Sequence, residues 1–200
     1  MKLYVWQKAP NPRRVLIYLA EKGLEIPTED VGAAKARLKD DYVARYPQAT
    51  VPMLELDDGT QIGEAMAICR YLEELHPAPP LWGRDAKERA LADMWERRAY
   101  EEGLLPIAEI FRNRHPLFAD RSVPGSSDPV PQVPALIERG RQRIGLFWKK
   151  LDRQLAQNRF IAGEGWTIAD ATALAVVDFG VVGDLFQVVP QAAEEIRKRK

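Results

Sequence analysis

The sequence predicts an α+β domain, with elements in the order β-α-β-α-β-β-α, followed by an all-helical domain. Three observations carry this. Strand-forming segments and their turn signals are confined to the chain before residue 63. The stretch "HPAPPLWG", His76–Gly83, holds three prolines and cannot continue a helix. Beyond it, apolar residues recur at helical spacing. The boundaries read as residues 1–78 for the mixed domain, 79–84 for a linker and 85–200 for the helical domain.

The elements come in order. "KLYVW", Lys2–Trp6, is rich in β-formers and reads as the first strand. "QKAPNP" interrupts the chain with two prolines. Arg14–Lys22 then carries Val15, Leu16, Leu19 and Ala20 at helical spacing, and Gly23 is a natural stop. Glu25–Val31 can form a second strand. Ala34–Tyr46 is helical in propensity, with Leu38, Tyr42 and Val43 on one side. Met53–Leu56 and Thr60–Ile62 flank an Asp58-Gly59 turn and make a hairpin. Glu64–Leu75 completes the domain as a helix with Met66, Ile68, Cys69 and Leu72 toward the core. Such an order fits a small mixed sheet covered by helices on both sides.

In the second part, Asp85–Pro106 reads as a helix that extends or restarts over Ile107–Arg114. Pro116–Pro134 contains five prolines and reads as an exposed loop. Ala135–Gln157 is a long amphipathic helix. "WTIADATALAVVDF" is apolar nearly all round, the mark of a buried helix. Thr167 and Asp170 form a capping-box variant at its start, a hydroxyl and a carboxylate near the positive helix end.

Composition narrows the function classes. The chain has 200 residues, 46% hydrophobic and 29% charged, enough for a packed core. Lys plus Arg equals Asp plus Glu at 29 each, which argues against nucleic acid as a main partner. The basic end, Arg197–Lys200, reads as a solvated tail. No apolar run reaches the ~20 residues of a membrane span, and Met1–Tyr18 lacks a signal-peptide layout. A cytoplasmic protein is the expectation. A single cysteine, Cys69, cannot form an internal disulfide and reads as a buried structural residue. His76 and His115 each precede a proline and suggest no metal cluster.

Three stretches, "APNPRRVLIYLAEKG", "VPMLELDDGTQIGEAMAICRYLEE" and "FIAGEGWTIADATALAVVDF", resemble signature regions of the cytosolic glutathione transferases in order and spacing. The resemblance covers nearly the whole chain. It implies a thioredoxin-like first domain that binds glutathione, an all-helical second domain, an adjoining site for a small hydrophobic electrophile, and a homodimer. Trp82 and Trp95 fall near the usual interface region, or belong to the core.

On this resemblance the Val51–Pro52 bond is cis and the backbone of Val51 pairs with the cysteinyl residue of glutathione; by itself the dipeptide also fits an ordinary strand start. Glu64 and Ala65 match the pair that holds the γ-glutamyl end. Glu64 would meet the ligand ammonium, or simply be a first-turn acid. Ala65 replaces a Ser or Thr, so its amide stays and a hydroxyl contact is lost. Thr50, with Arg37 or Lys39, matches the residues near the glycyl carboxylate. The loop "YPQATVP" departs from the family's Asn-Pro-x-Gly-x-Val-Pro at Tyr46 and Ala49, which puts its conformation in question because Gly readily takes positive φ.

The thiol-activating position aligns with Ala9, which has neither hydroxyl nor thiol. Asn11 resembles the asparagine that contacts the glutathione sulfur in some bacterial members; it also fits a helix N-cap. Tyr100, Leu104, Phe111, Arg112 and His115 are candidates for the electrophile pocket, although aromatics at helical spacing more often belong to a core. The expected activity is conjugation of glutathione thiolate to an electrophile. The alternatives are glutathione-dependent disulfide or peroxide reduction, and a weak glutathione-, ligand- or protein-binding member of the fold, suggested by alanine at 9, 49 and 65.

Overall fold

The computed structural model describes residues 1–32, 40–125 and 128–182. Two compact units result, Met1–Pro79 joined by Pro124–Ser127, and Pro80–Val123 joined by the chain from Asp128 onward.

The first unit is built on a four-stranded sheet in the order β2-β1-β3-β4. Its strands are β1 (Lys2–Val5), β2 (Thr28–Asp30), β3 (Met53–Glu55) and β4 (Gln61–Gly63). β1 runs parallel to β2 and antiparallel to β3, and β3 and β4 form the expected hairpin. Its turn places Gly59 at φ 84, and Asp58 Oδ1 accepts the Thr60 N–H at 2.9 Å. Period-two alternation divides the strands between two faces. Tyr4 and Met53 face the short helix α2 (Asp40–Arg45) and pack with Tyr42 and Tyr46. The opposite face takes Leu3, Val5 and Leu54, all buried, along with α1 (Pro10–Lys22) and α3 (Ala65–Leu75), which pack on each other. Cys69 is buried on α3.

α1 starts four residues earlier than the sequence predicts. "PNP" is its first turn rather than a break. The first helical N–H groups have no intrahelical acceptor, so prolines there cost no hydrogen bond. Ala9 is therefore the N-cap, without a side-chain cap, and Asn11 lies inside the helix. The N-cap expectation for Asn11 is corrected accordingly. Gly23 ends α1 in the left-handed conformation, as expected.

At the other end of these helices a buried charge cluster forms. Lys22 Nζ meets Glu73 Oε2 at 2.7 Å and donates to the carbonyls of His76 and Pro79 at 2.6 and 2.5 Å. Tyr18 donates its hydroxyl to the same Glu73 oxygen at 2.7 Å. An ammonium at the C-terminal end of α3 also complements the helix dipole.

The second unit is helical: α4 (Ala86–Arg98), α5 (Leu105–Arg114), α6 (Ala135–Leu155) and α7 (Ile168–Val182). Between α4 and α5 the sequence predicts a plain helix, but Ala99–Leu104 is a π-helical segment, with Leu105 N–H bonding the carbonyl of Tyr100. Pro106, just beyond, cannot donate to a carbonyl four residues back, and the widened register meets it where the ladder would break anyway. Gly103 lies in this segment against α6 and α7; a side chain there would meet Phe147 Cε1 at 2.9 Å and Val176 Cγ2 at 3.2 Å.

α7 is buried nearly throughout its described length. Its start is the expected capping box: Ala169 N–H donates to Thr167 Oγ1 at 3.3 Å, and Thr167 N–H donates back to Asp170 Oδ2 at 2.9 Å. Asp170 Oδ1 also accepts the Ile161 N–H at 2.9 Å. Trp82 and Trp95 are both buried within this unit. Among the described residues no helix is long and apolar enough to cross a membrane. The basic residues Arg197–Lys200 lie outside the described residues.

Candidate functional site

Strand register brings three separated segments to one end of the first unit. Tyr4 pairs with Met53 and Met53 with Gly63. The residues just beyond these pairs are Val5–Ala9 leading into α1, Val51–Pro52 leading into β3, and Glu64–Ala65 opening α3. Asn11, Thr50, Val51, Pro52, Glu64 and Ala65 therefore gather around the same sheet end. Arg37 and Lys39 lie outside the described residues.

The central segment is Tyr46–Pro52. The Val51–Pro52 peptide is cis, the isomer expected. Ala49 adopts φ 48, a left-handed conformation that glycine takes without strain and alanine does not. The loop thus keeps a glycine-like path in spite of the alanine. Tyrosines hold it: Tyr42 donates its hydroxyl to the Thr50 carbonyl at 2.8 Å, and Ala49 N–H reaches the Tyr46 carbonyl at 2.9 Å. Gly125, at φ 74, also lies beside this loop; a side chain there would meet Thr50 Cγ2 at 3.5 Å and Gln48 O at 3.6 Å. Among the described residues, Val51 spends neither its N–H nor its C=O on an intramolecular hydrogen bond.

Glu64 closes β4 and opens α3 at φ 61, ψ 122. This lies outside the left-handed well, in a region that non-glycine residues rarely occupy, and such residues cost about 1–3 kcal/mol. The conformation makes an abrupt turn from strand to helix. Ile68 N–H is the first to find a carbonyl, that of Glu64 at 3.1 Å, so the N–H groups of Ala65, Met66 and Ala67 have no intrahelical partner. The Glu64 side chain caps nothing and is exposed, whereas Ala65 is buried. An anion beside Ala65 would meet main-chain donors and the positive end of α3.

At the start of α1, Pro10 and Pro12 supply no N–H, so in the first turn donors come from Asn11 and from Arg13, whose N–H reaches the Ala9 carbonyl at 3.3 Å. The side chain of Asn11 is half-buried, and its Oδ1 accepts from Arg14 Nη1 at 2.9 Å. A guanidinium only donates, so the carboxamide edge facing it must be oxygen. The Nδ2 donors of Asn11 are then on the edge away from Arg14. Sequence reading singles out Asn11 and misses Arg14. The spacing of three residues on a helix is the available signal, hidden when the helix is taken to begin after Asn11.

The electrophile-pocket candidates all lie in the second unit. Leu104 is buried in its core. Tyr100 is half-buried in the π-helical segment. Phe111 centres an aromatic group, with ring centroids 5.2 Å from His115, 5.4 Å from Phe118 and 5.2 Å from Phe179. Arg112 donates to the Arg121 carbonyl at 3.2 Å and lies over the Phe118 ring.

A cleft of ≈ 400 Å³ on the β2–α2 side, lined by Tyr4 and Tyr42 with Glu29, Asp41 and Arg45 among its charged residues, includes none of the candidates. Its excess of carboxylates does not suit an anion such as glutathione. Among the described residues no group of three His, Cys, Asp or Glu side chains could hold a metal.

A mixed four-stranded sheet with a cis-proline entering its hairpin, followed by a helical unit, defines a glutathione-transferase-type fold. Residues 9–75 match the family described as the N-terminal domain of glutathione S-transferase. The chain is 30% identical to glutathione S-transferase 2 of Saccharomyces cerevisiae over 207 residues, covering 98% of this chain and 82% of that protein. Two solved structures are similar along the full length. A glutathione S-transferase domain-containing protein of Marinobacter aquaeolei superposes with a TM-score of 0.86 at 32% identity, over 100% of this chain and 95% of that one. Gtt2 of Saccharomyces cerevisiae superposes with a TM-score of 0.85 at 30% identity, over 100% and 93%. The chain belongs to the cytosolic glutathione transferase superfamily. Within that superfamily its full-length likeness includes Gtt2-type members, the Vibrio parahaemolyticus enzyme among them, at 31% identity and a TM-score of 0.80.

Proposed function

We propose that the protein is a glutathione transferase that conjugates glutathione to a small hydrophobic electrophile, binding glutathione largely through main-chain atoms. The observation that carries this is the gathering of Asn11, Val51 and Ala65 at one sheet end, with the N–H and C=O of Val51 unspent among the described residues. The Val51 main chain pairs with the cysteinyl residue as an added strand would. The Ala65 N–H receives the α-carboxylate, Glu64 the α-ammonium, and Thr50 with Arg37 the glycyl carboxylate. The electrophile is taken by residues of the second unit, for which Tyr100, Phe111 and Arg112 are the candidates.

Thiol activation is a question of magnitude. A free thiol near pKa 8.5 is only a few per cent ionised at neutral pH. A hydrogen bond to a charged group contributes about 1.5–3 kcal/mol, equivalent to about one to two pKa units. One donor from Asn11 Nδ2, aided by the α1 dipole, therefore suffices to make thiolate a major species near pH 7. The thiol proton leaves to water. The thiolate then forms the carbon–sulfur bond, and in a substitution the bond to the leaving group breaks with its electron pair.

The test is turnover of glutathione with a panel of electrophiles, repeated with Asn11→Ala. The expected result is a fall in kcat/KM of about tenfold or more. An absence of turnover with every electrophile at millimolar glutathione would reject conjugation; binding of glutathione or a disulfide-exchange activity under those conditions would point to the alternatives.

A further inference from the structure

The geometry points to Arg14 as a positioning residue that sets the orientation of the Asn11 carboxamide and so decides whether the site offers sulfur a donor or an acceptor. The inference rests on the assignment of Asn11 as the thiolate donor.

Asparagine is ambiguous by construction. Its two edges are nearly equal in shape and opposite in polarity, and a half-turn about the terminal bond exchanges them. Next to a thiolate the difference is decisive, because an N–H stabilises the anion and a carbonyl oxygen repels it. Asn11 is half-buried on the first turn of α1, and its neighbour of opposite polarity is Arg14, three residues on. The Nη1–Oδ1 bond of 2.9 Å ties down the oxygen. Among the described residues Asn11 makes no other side-chain hydrogen bond, so this contact alone selects the orientation.

Arg14 is held firmly enough to do this. It is buried to 3% exposure on α1, where Pro12 and Val15 are buried as well. A buried guanidinium retains its five donors and its charge, and has no acceptor with which to accommodate a turned amide. A flipped Asn11 would set N–H against N–H beside a buried guanidinium, which is unfavourable.

The chemistry predicts a pattern across substitutions rather than a single loss. Arg14→Lys keeps a group that only donates and should keep the orientation. Arg14→Gln can donate or accept, so both orientations become available. Arg14→Met removes the selection altogether.

The experiment tracks the ultraviolet absorbance of the glutathione thiolate bound to each variant as a function of pH, with glutathione affinity measured by calorimetry. Arg14→Met should raise the thiol midpoint by about half to one unit, a fall of about 3- to 10-fold in the thiol ionisation constant. Arg14→Gln should give a smaller rise and Arg14→Lys the wild-type midpoint, all with affinity within about twofold. In an Asn11→Ala background Arg14→Met should add nothing. If Arg14→Met does not fold, the contrast between Gln and Lys still decides. A wild-type midpoint in Arg14→Gln, an equal shift in Arg14→Lys, or a full shift in the Asn11→Ala background overturns the role of Arg14. An unchanged midpoint in Asn11→Ala, or no glutathione binding by the wild type, overturns instead the donor assignment beneath it.

Discussion

The hydroxyl of Tyr46 occupies the space that a side chain on Gly63 would need: a Cβ there would lie 2.1 Å from Tyr46 Oη and 3.2 Å from Cζ. Gly63 is the register partner of Met53, so this contact fixes the spacing between the cis-proline segment and the start of α3. Gly63→Ala should destabilise the protein by about 1–3 kcal/mol in urea unfolding, the range for overpacking. Tyr46→Phe removes the nearest atom, and Gly63→Ala/Tyr46→Phe should regain most of the loss. Equal destabilisation in the single and double variants would show that the hydroxyl is not the obstacle.

Ala65→Ser restores the hydroxyl that the family pattern places at the γ-glutamyl end. One hydrogen bond to a charged carboxylate is worth about 1.5–3 kcal/mol, or about 10- to 100-fold in affinity. The glutathione dissociation constant measured by calorimetry should fall by about tenfold, with kcat changed by less than about threefold, because the contact is made in the ground state. Unchanged affinity would mean that the ligand carboxylate is not placed at the start of α3.

Lys22 is a buried cation whose ion-pair and hydrogen-bond partners are on or just beyond α3. Its side chain has 0% exposure and that of Glu73 12%. Removing one member of such a pair leaves an uncompensated buried charge and costs about 3–5 kcal/mol. Lys22→Met should show a loss of that order by denaturant unfolding, little altered by salt because the pair is screened from it. Lys22→Met/Glu73→Gln should recover much of the loss, since the charge is gone and the Gln carbonyl still accepts from Tyr18. A surface-like cost below about 1 kcal/mol would contradict the burial of this pair.

Asp170 gives a pH-dependent expectation. Burial pushes its carboxyl up to about 6, while the N–H groups of Ile161 and Thr167 draw it down. The folded protein thus holds this proton more tightly than the unfolded chain, where the value is about 3.9. The resulting stability is fully present below about pH 4 and is lost as the pH rises through about 6. Wild type should gain about 1 kcal/mol from this group between pH 7 and pH 5. Asp170→Asn, which sets an amide against N–H donors, should be less stable by about 2–3 kcal/mol at pH 7 and should lack that gain. Parallel pH profiles of the two proteins would show that Asp170 titrates as an ordinary carboxyl.

The legible parts of the fold are those with a local cause. The Asp58-Gly59 turn, the Gly23 stop and the Thr167–Asp170 cap each announce themselves by residue type within a few positions. The π-helical segment does not. It inserts one residue into a turn, rotating the later residues of the helix by about 100° relative to an α-helix, and a spacing rule that assumes constant pitch absorbs the error without warning. The start of α1 is hard to read for a different reason: proline is a breaker inside a helix and a good first-turn residue, and only the position of the helix tells which applies. Of the candidate site, Glu64, Val51–Pro52 and Asn11 are the residues that the sequence singles out. The positive φ of Glu64 and Ala49 is not, because neither side chain favours it and the surrounding packing imposes it.

On the proposed reading Val51 meets glutathione through its main-chain groups, and an N–H belongs to no codon. Every residue except proline at position 51 would supply the same donor and acceptor, so mutation can drift through the side chain without erasing the contact. The vulnerability moves elsewhere, to the residues that shape the path of the chain: Ala49, Tyr42, Tyr46 and Gly63. Inherited loss of recognition at this position would therefore be expected to surface as changes at these four positions.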